Sequence, residues 1–321
     1  MERPDAPLTH RRLALIAVLV AALVVAGAFA LRDPLPTRRA QVTQARPLPI
    51  ALAPGERTPE LSAVLAASSA KRFDEAARLL ETAARTLGEG DLRVATIRAS
   101  LAFRSRPDSA LNRLQTLSDD NRDSPFVRLQ LGLALLLADQ GADSAVELRE
   151  ARALDPDGYY GEHADDALHL EIRPGYPLWI SSHGLPAKPL SELRSDAAAA
   201  PRSLAAQLAY AQLLQRTSRS QALVVAQTAL ALAPGNVEAA VAVAVLGFDK
   251  DRPARSTGAL GLLARANPGS ATVQFHFGEV LSWLMQRAAA DRRYRTAAKL
   301  DPTGQIGSLA AAVLQKEEET P

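Results

Sequence analysis

Small and apolar residues recur along this chain every 34 residues. One column of small side chains falls into two groups: Ala76, Ala110 and Ser144, then Ala222, Ser256 and Ala290. Mostly apolar residues stand four and seven positions after each of them, a spacing that places all three on one face of an α-helix. The two groups are 78 residues apart, which is two repeats plus ten. The pattern predicts a series of helices that is interrupted once.

A proline closes several of these units. Pro234, Pro268 and Pro302 stand 34 residues apart, each after an apolar stretch, and Pro156 has the same setting. Because proline lacks an amide hydrogen and clashes with the preceding turn, it ends one helix and allows the next to begin. No single helix pair can bury its own apolar face, so we expect the pairs to stack.

This arrangement resembles the tetratricopeptide repeat (TPR), whose pattern is W-x2-L-G-x2-Y, then A-x3-F, then P. The best copy is Phe277-Gly278-x2-Leu281, Ala290-x3-Tyr294 and Pro302, and another is Leu131-Gly132-x2-Leu135, Ser144-x3-Leu148 and Pro156. No copy has the tryptophan. The resemblance covers roughly residues 57–316 and implies an all-α, right-handed superhelical solenoid. It also implies a recognition scaffold, because that is how this family is used.

The register predicts about seven units over residues 57–304. Their limits fall near 57–90, 91–124, 125–158, 159–203, 204–236, 237–270 and 271–304. We expect a capping helix at 305–316, because the end of such an array needs a solvated face, and an acidic tail at 317–321.

The amino-terminal part has a different character. Residues 13–31 carry no charge and, at about 1.5 Å per residue, are long enough to cross a bilayer as a helix. They predict a transmembrane signal anchor after a short basic segment, 1–12, and a proline-rich spacer at 32–56. A cleaved leader is the alternative, because Ala28-Phe29-Ala30 fits the small-x-small rule. We thus expect a single-pass membrane protein whose repeat domain lies outside the cytoplasm.

Composition narrows the possible chemistry. The chain has no cysteine, which excludes disulfides, thiolate metal sites and cysteine nucleophiles. A formal net charge of +2 in 321 residues gives no reason to expect nucleic acid as a partner. No phosphate-binding loop, G-x-G-x-x-G motif or G-x-S-x-G elbow is present. We expect no cofactor and no enzymatic activity.

The ten extra residues fall in the fourth unit, around residues 171–189. Four prolines, two glycines, Tyr176 and Trp179 make a plain helix impossible there. One hypothesis is a drifted connection whose aromatic ring fills a local gap. The other is a loop that plugs the groove of the array or presents Tyr176, Leu178 and Trp179 to a partner, since long loops in compact arrays are uncommon and often functional.

Two polar groups flank this loop. Glu162, Asp165, Asp166 and His169 share one helix face, which suggests either a solvated acidic surface or, less favoured, a metal site, because one short helix supplies every ligand. Ser181 and Ser182 precede His183, but neighbours in sequence rarely have the geometry of a serine–histidine pair. We therefore predict neither a metal site nor a hydrolase.

In TPR proteins the first helix of each pair lines the inner groove. That resemblance assigns to the groove, besides Leu92, the apolar residues Phe103, Phe126, Leu129, Leu133, Leu136, Phe275 and Trp283. They form either a surface for a partner or the ordinary core of the repeats. The favoured function is a membrane-anchored, non-catalytic adaptor that binds another protein or an extended peptide. The alternatives are an exported structural array with a cleaved leader and, remotely, a metal-dependent enzyme.

Overall fold

A computed structural model describes residues 46–318 of the chain, with side chains to residue 316. This part is all-α, as expected from the repeats. A 3-10 turn at Pro54–Glu56 precedes the helices α1 (Pro59–Ser69), α2 (Phe73–Leu87), α3 (Leu92–Ala102), α4 (Pro107–Asp120), α5 (Pro125–Leu137), α6 (Gly141–Leu154), α7 (Tyr159–Leu168), α8 (Leu190–Ala199), α9 (Leu204–Leu214), α10 (Arg219–Leu232), α11 (Val237–Leu246), α12 (Ala254–Ala266), α13 (Ala271–Trp283), α14 (Arg287–Leu300) and α15 (Gln305–Glu318).

The helices form antiparallel pairs whose first members begin with a capping side chain. An oxygen of the cap accepts a hydrogen bond from an amide of the first turn, which would otherwise lack a partner. The caps of α1, α3, α5, α9, α11 and α13 are Thr58, Asp91, Ser124, Ser203, Asn236 and Ser270. The turn inside a pair repeats as well: Lys71, Asp139 and Met285, which hold one position of the repeat, all have positive φ.

The stack is interrupted where the sequence carries its insertion. From α1 to α7 each helix packs on the next, and α7 packs on both α5 and α6. Packing of neighbours stops between α7 and α8 and resumes with α8 on α9. The fourth predicted unit, 159–203, is therefore not a helix pair. Its first helix closes the N-terminal half of the array, residues 46–170, and its second opens the C-terminal half, residues 190–316.

The predicted spacer, 32–56, is corrected at its carboxyl end. Leu48, Ala51 and Leu52 are buried, and Ala51 and Leu52 belong to the apolar core of the N-terminal half. Proline content suggested a solvated chain there, but the alternating apolar side chains fold back onto the helices.

The predicted localisation is also corrected. Among residues 46–318 no helix is long and apolar enough to cross a membrane, so the structure does not support a single-pass membrane protein. The predicted basic segment 1–12, the anchor 13–31 and the acidic tail from residue 319 lie outside the described residues.

One glycine sets how closely α7 follows α6. A Cβ on Gly161 would overlap the backbone carbonyl oxygen of Asp155, whereas a Cβ on Gly141, at the start of α6, would meet nothing within 4 Å. Backbone cannot move aside as a flexible side chain can. We expect Gly161→Ala to lower the free energy of unfolding by about 1–3 kcal/mol. Gly141→Ala is the matched control and should change it by less than about 0.5 kcal/mol in urea unfolding.

Candidate functional site

An extended segment, residues 177–183, lies along the first helices of the C-terminal half. The amide N of Trp179 donates to Oε1 of Gln215 at 2.9 Å, and Nε2 of Gln215 donates to the carbonyl oxygen of Trp179 at 2.7 Å. Gln215 is the C-cap residue of α9. Its amide group thus pairs with both polar groups of one backbone unit, as a neighbouring β-strand would.

The same segment is held at two further helices. Nε2 of His276, on α13, lies 2.9 Å from the carbonyl oxygen of Ile180. Glu238, in the first turn of α11, accepts hydrogen bonds from Oγ of Ser181 at 2.5 Å and from the amide of Ser182 at 2.9 Å. Three successive first helices therefore hold consecutive residues of the loop, 179–182.

The side chain of Trp179 anchors this segment in the core. It is 1% exposed and belongs to the same buried apolar cluster as Leu214, Val245 and Val280. The neighbouring Leu178 points outward and is 49% exposed. Upstream, the amide of Arg173 donates to the carbonyl oxygen of Trp283 at 2.9 Å, and its guanidinium lies over the Trp283 ring.

The N-terminal half holds a second extended segment, residues 48–53, in a similar way. With its amide oriented to satisfy its neighbours, Gln130 donates to the carbonyl oxygen of Pro49 at 3.2 Å and accepts from the amide of Ala51 at 2.9 Å. The hydroxyl of Tyr160 accepts from the amide of Ala53 at 3.2 Å. Both halves thus use side chains of first helices to hold an extended part of the same chain.

Gln130 and His276 hold the same position of the repeat. Each precedes the glycine of its repeat, Gly132 or Gly278, by two residues, and each lies in a first helix capped by serine. Both are buried, at 0% exposure. Other repeats have an apolar or small residue at this position. In these two repeats the residue is large and polar, and it hydrogen-bonds to the backbone of the segment that covers it.

Burial lowers the pKa of His276 to about 4, because a charged imidazole is poorly solvated there. The hydrogen bond to Ile180 and the charge of Glu238 oppose this effect without cancelling it. The side chain is therefore neutral in the folded protein at neutral pH, with the proton on Nε2 for the bond to Ile180. Its Nδ1 has no hydrogen-bond partner among the described residues.

This burial predicts a loss of stability in mild acid. The unfolded chain binds a proton at His276 below the ordinary histidine pKa of 6.5, whereas the folded chain does not do so until pH is near 4. Stability should therefore fall as pH drops from about 6.5 to 4, by about 2–4 kcal/mol from this group. His276→Gln keeps an amide like that of Gln130 without titrating, so urea unfolding at pH 7.5 and 4.5 should show a smaller loss for this variant. Equal losses in the two proteins would contradict the assignment.

The acidic face of α7 is exposed only at Glu162, which corrects the favoured interpretation for Asp165, Asp166 and His169. The Asp165 carboxylate is 2.5 Å from Nη1 of Arg152 and accepts from the Tyr176 hydroxyl at 2.5 Å. Nε2 of His169 lies 3.1 Å from Asp251, which also pairs with Arg152. Asp166 pairs with the buried Lys250. No group of acidic or histidine side chains in residues 46–316 has the arrangement of a metal site.

The ion pairs join the turn after α11 to α7 and to the loop. Although burial alone would raise the pKa of Asp251, Arg152 and His169 hold it below its ordinary value. Burial and the hydrogen bond to Asp165 raise the pKa of Tyr176 well above its usual range, so its hydroxyl remains a donor. We call this set of residues the junction network: Arg152, Asp165, Tyr176, Lys250 and Asp251.

A cavity of about 740 Å³ opens beside the junction network. It lies where the stack of helices is interrupted, and Tyr176, Pro177 and Leu178 form one of its walls. The turns after α6, α9 and α11 and the neighbouring parts of α7, α10 and α12 supply the other walls, with Leu223, Leu246 and Phe248 as apolar lining. Four arginines line it as well: Arg216, Arg219, Arg252 and Arg255.

The residues predicted for the inner groove fall into two classes. Phe103, Phe126, Leu129 and Phe275 are at most 3% exposed, so they form the core of their own repeats. Leu133, Leu136 and Trp283 are half-buried, and Trp283 is covered by Arg173. That any of them contacts a partner stays a prediction.

The serine–histidine pair does not form. The hydroxyl of Ser181 donates to Glu238 and accepts from the backbone amide of His183, while the His183 side chain is 86% exposed. Its Nε2 lies 3.5 Å from Glu238, not beside a serine hydroxyl.

No protein-family model and no curated protein matches the chain. Among solved structures, a tetratricopeptide repeat protein from Parabacteroides merdae is 11% identical, with 80% of this chain and 96% of that chain covered and a TM-score of 0.32. YrrB, described as a TPR protein with an unusual peptide-binding site, is 11% identical over 73% and 97%, with a TM-score of 0.28. MamA from Desulfovibrio magneticus RS-1 is 16% identical over 67% and 97%, with a TM-score of 0.24.

The chain is similar to tetratricopeptide repeat proteins. At these identities and scores the fold assignment rests on the capped helix pairs of this chain, with their 34-residue register. Gln130, Gln215, Glu238 and His276, which hold the two extended segments, are the site residues that sequence reasoning missed. The available signal was a polar residue at an inner position of an otherwise apolar first helix, which Gln130 and His276 both provide.

Proposed function

We propose that this protein is a non-catalytic scaffold that binds a partner protein through an extended polypeptide segment. One observation carries the proposal. Gln130, Gln215 and His276 all hydrogen-bond to the backbone of an extended segment, and backbone bonds place few demands on its sequence. A face that holds 177–183 in this way has the chemistry to hold a similar segment of another protein.

The proposal is tested by supplying the segment in trans. In the full-length chain, Trp179→Ala removes the anchor of 177–183 and leaves a space for an indole ring. A labelled peptide that copies residues 174–184 should bind this variant, measured by fluorescence anisotropy, and should bind the wild-type chain at least tenfold more weakly. The intramolecular segment competes in the wild type at high effective concentration.

Two controls keep the result specific. A peptide of the same composition in scrambled order should not bind the Trp179→Ala chain. Adding Gln215→Ala to that chain should weaken binding of the correct peptide at least fivefold, because its backbone loses two hydrogen bonds. Circular dichroism establishes that each variant is folded. Failure of the peptide to bind a folded Trp179→Ala chain contradicts the proposed function.

A further inference from the structure

The cavity at the interruption is lined by four arginines and three carboxylates, so it carries an excess of positive charge within the described residues. Of its four arginines, Arg252 pairs with Asp249 at 2.9 Å. Arg216 and Arg255 are exposed and form no ion pair with any residue in the described part. The fourth, Arg219, is partly buried and donates to the carbonyl oxygens of Phe248 and Val245, both at 2.8 Å, rather than to a carboxylate.

The three carboxylates of the cavity, Asp157, Glu162 and Asp249, offset the four arginines only in part. Asp157 accepts from both Ser218 and Ser220, which hold the start of α10. Asp249 is engaged by Arg252. In the described part Asp157 and Glu162 have no ion-pair partner, and neither do Arg216, Arg219 and Arg255, so the lining keeps an excess of one positive charge.

Arg219 is held in place before any ligand arrives. Its guanidinium stacks on the Tyr176 ring, 4.3 Å from the centroid, and its Nε has no hydrogen-bond partner among the described residues. A partly buried guanidinium without a carboxylate partner is costly, and an anion in the cavity reduces that cost. The apolar wall of Leu178 and Leu223 lies in the same cavity.

We propose that this cavity binds an acidic segment of a partner protein. Carboxylates of the segment face Arg216 and Arg255, and an apolar side chain of the segment contacts Leu178 and Leu223. This proposal rests on the proposed function, because it takes the ligand to be a polypeptide. The binding surface is another one, because residues 48–53 and 177–183 already cover the inner faces, whereas this cavity is open.

The probe is the labelled peptide acetyl-Asp-Leu-Glu-Asp-Leu-Glu-Asp-Leu, titrated against the full-length protein at 50 mM and 200 mM salt. We expect saturable binding that weakens at least fivefold at the higher salt. The Asn and Gln version of the peptide should bind at least tenfold more weakly. Equal binding of the two peptides overturns the proposal.

The site is located with matched variants. Arg216→Gln with Arg255→Gln should weaken binding of the acidic peptide at least tenfold. The control pair, Arg202→Gln with Arg265→Gln, removes the same charge from exposed arginines outside the cavity and should stay within twofold. Leu178→Ser should weaken binding about threefold without changing the melting temperature. Equal effects of the two arginine pairs overturn the proposal.

A small anion is the competing source of the same charge. Inorganic phosphate at 10 mM, at constant ionic strength, should displace less than a fifth of the bound peptide. Complete displacement identifies a small-anion site and overturns the polypeptide proposal. The trans-peptide experiment depends on the hydrogen bonds of Gln215, Glu238 and His276 to residues 179–182, whereas binding of the acidic peptide depends on Arg216 and Arg255, so the two outcomes separate failure of this inference from failure of the proposed function.

Discussion

Replacing Trp179 with alanine is expected to lower the free energy of unfolding by about 3–5 kcal/mol. The indole is 1% exposed and lies in the core of the C-terminal half, where removing it leaves a cavity that helices cannot close without moving. Urea unfolding followed by circular dichroism gives the change directly. A loss of stability of this size is larger than we expect for a residue in a loop that only connects two helices.

Leu178 provides the matched control for this substitution. It is the preceding residue in the same loop but is 49% exposed, so Leu178→Ala should cost less than about 1 kcal/mol. Similar losses for the two variants would mean that the loop stabilises the array without the specific burial of the indole.

Replacing Asp165 with alanine is expected to cost about 3 kcal/mol. Its carboxylate is 3% exposed and receives bonds from Arg152 and Tyr176 at 2.5 Å, so its removal takes a buried acceptor away from two half-buried donors. The expected loss of stability is at the low end of the range for breaking a buried ion pair, because Arg152 still pairs with Asp251 and its side chain is 29% exposed. Urea unfolding measures the change in free energy.

The control for Asp165 is an aspartate without buried partners. Asp120 is exposed at the last residue of α4, so Asp120→Ala should change stability by less than about 0.5 kcal/mol. The two results together separate loss of the junction network from loss of one negative charge. A change below about 1 kcal/mol for Asp165→Ala would show that the network contributes little.

The helices and the place of their interruption were predictable because both are local properties of the sequence. Spacing of small residues such as Ala76 and Ala290 fixes a helix face, and the ten extra residues show where the register shifts. What the register cannot show is which helix covers which face. For this reason the polar face around Asp165 suggested water, although Arg152 and Tyr176 lie against it.

The groove residues were only partly predictable for a related reason. Large apolar residues such as Phe126 and Phe275 suggested a partner surface, but their own repeats bury them. Gln130 and His276 are informative instead, because a buried polar group requires a partner. That partner comes from segments far away in sequence, and helical periodicity contains no information about such contacts. The proline content of the predicted spacer likewise gave no sign that residues 48–53 pack against the helices.

The two covered grooves change where partners are expected to bind. A partner at either inner face must compete with a segment of the same chain, including the buried Trp179. A partner at the open cavity between the halves does not. Under the proposed function the chain therefore offers two kinds of surface, and the trans-peptide and the acidic peptide test them through different residues.

Amide hydrogen exchange of the native full-length protein tests most directly whether the inner faces are covered by 48–53 and 177–183. The amides of Ala51, Ala53, Trp179 and Ser182 donate to side chains of the array. We predict that both segments exchange at least tenfold more slowly than residues 184–188, which lie in the same loop and are mostly exposed. Exchange of 48–53 and 177–183 as fast as that of 184–188 would contradict the account.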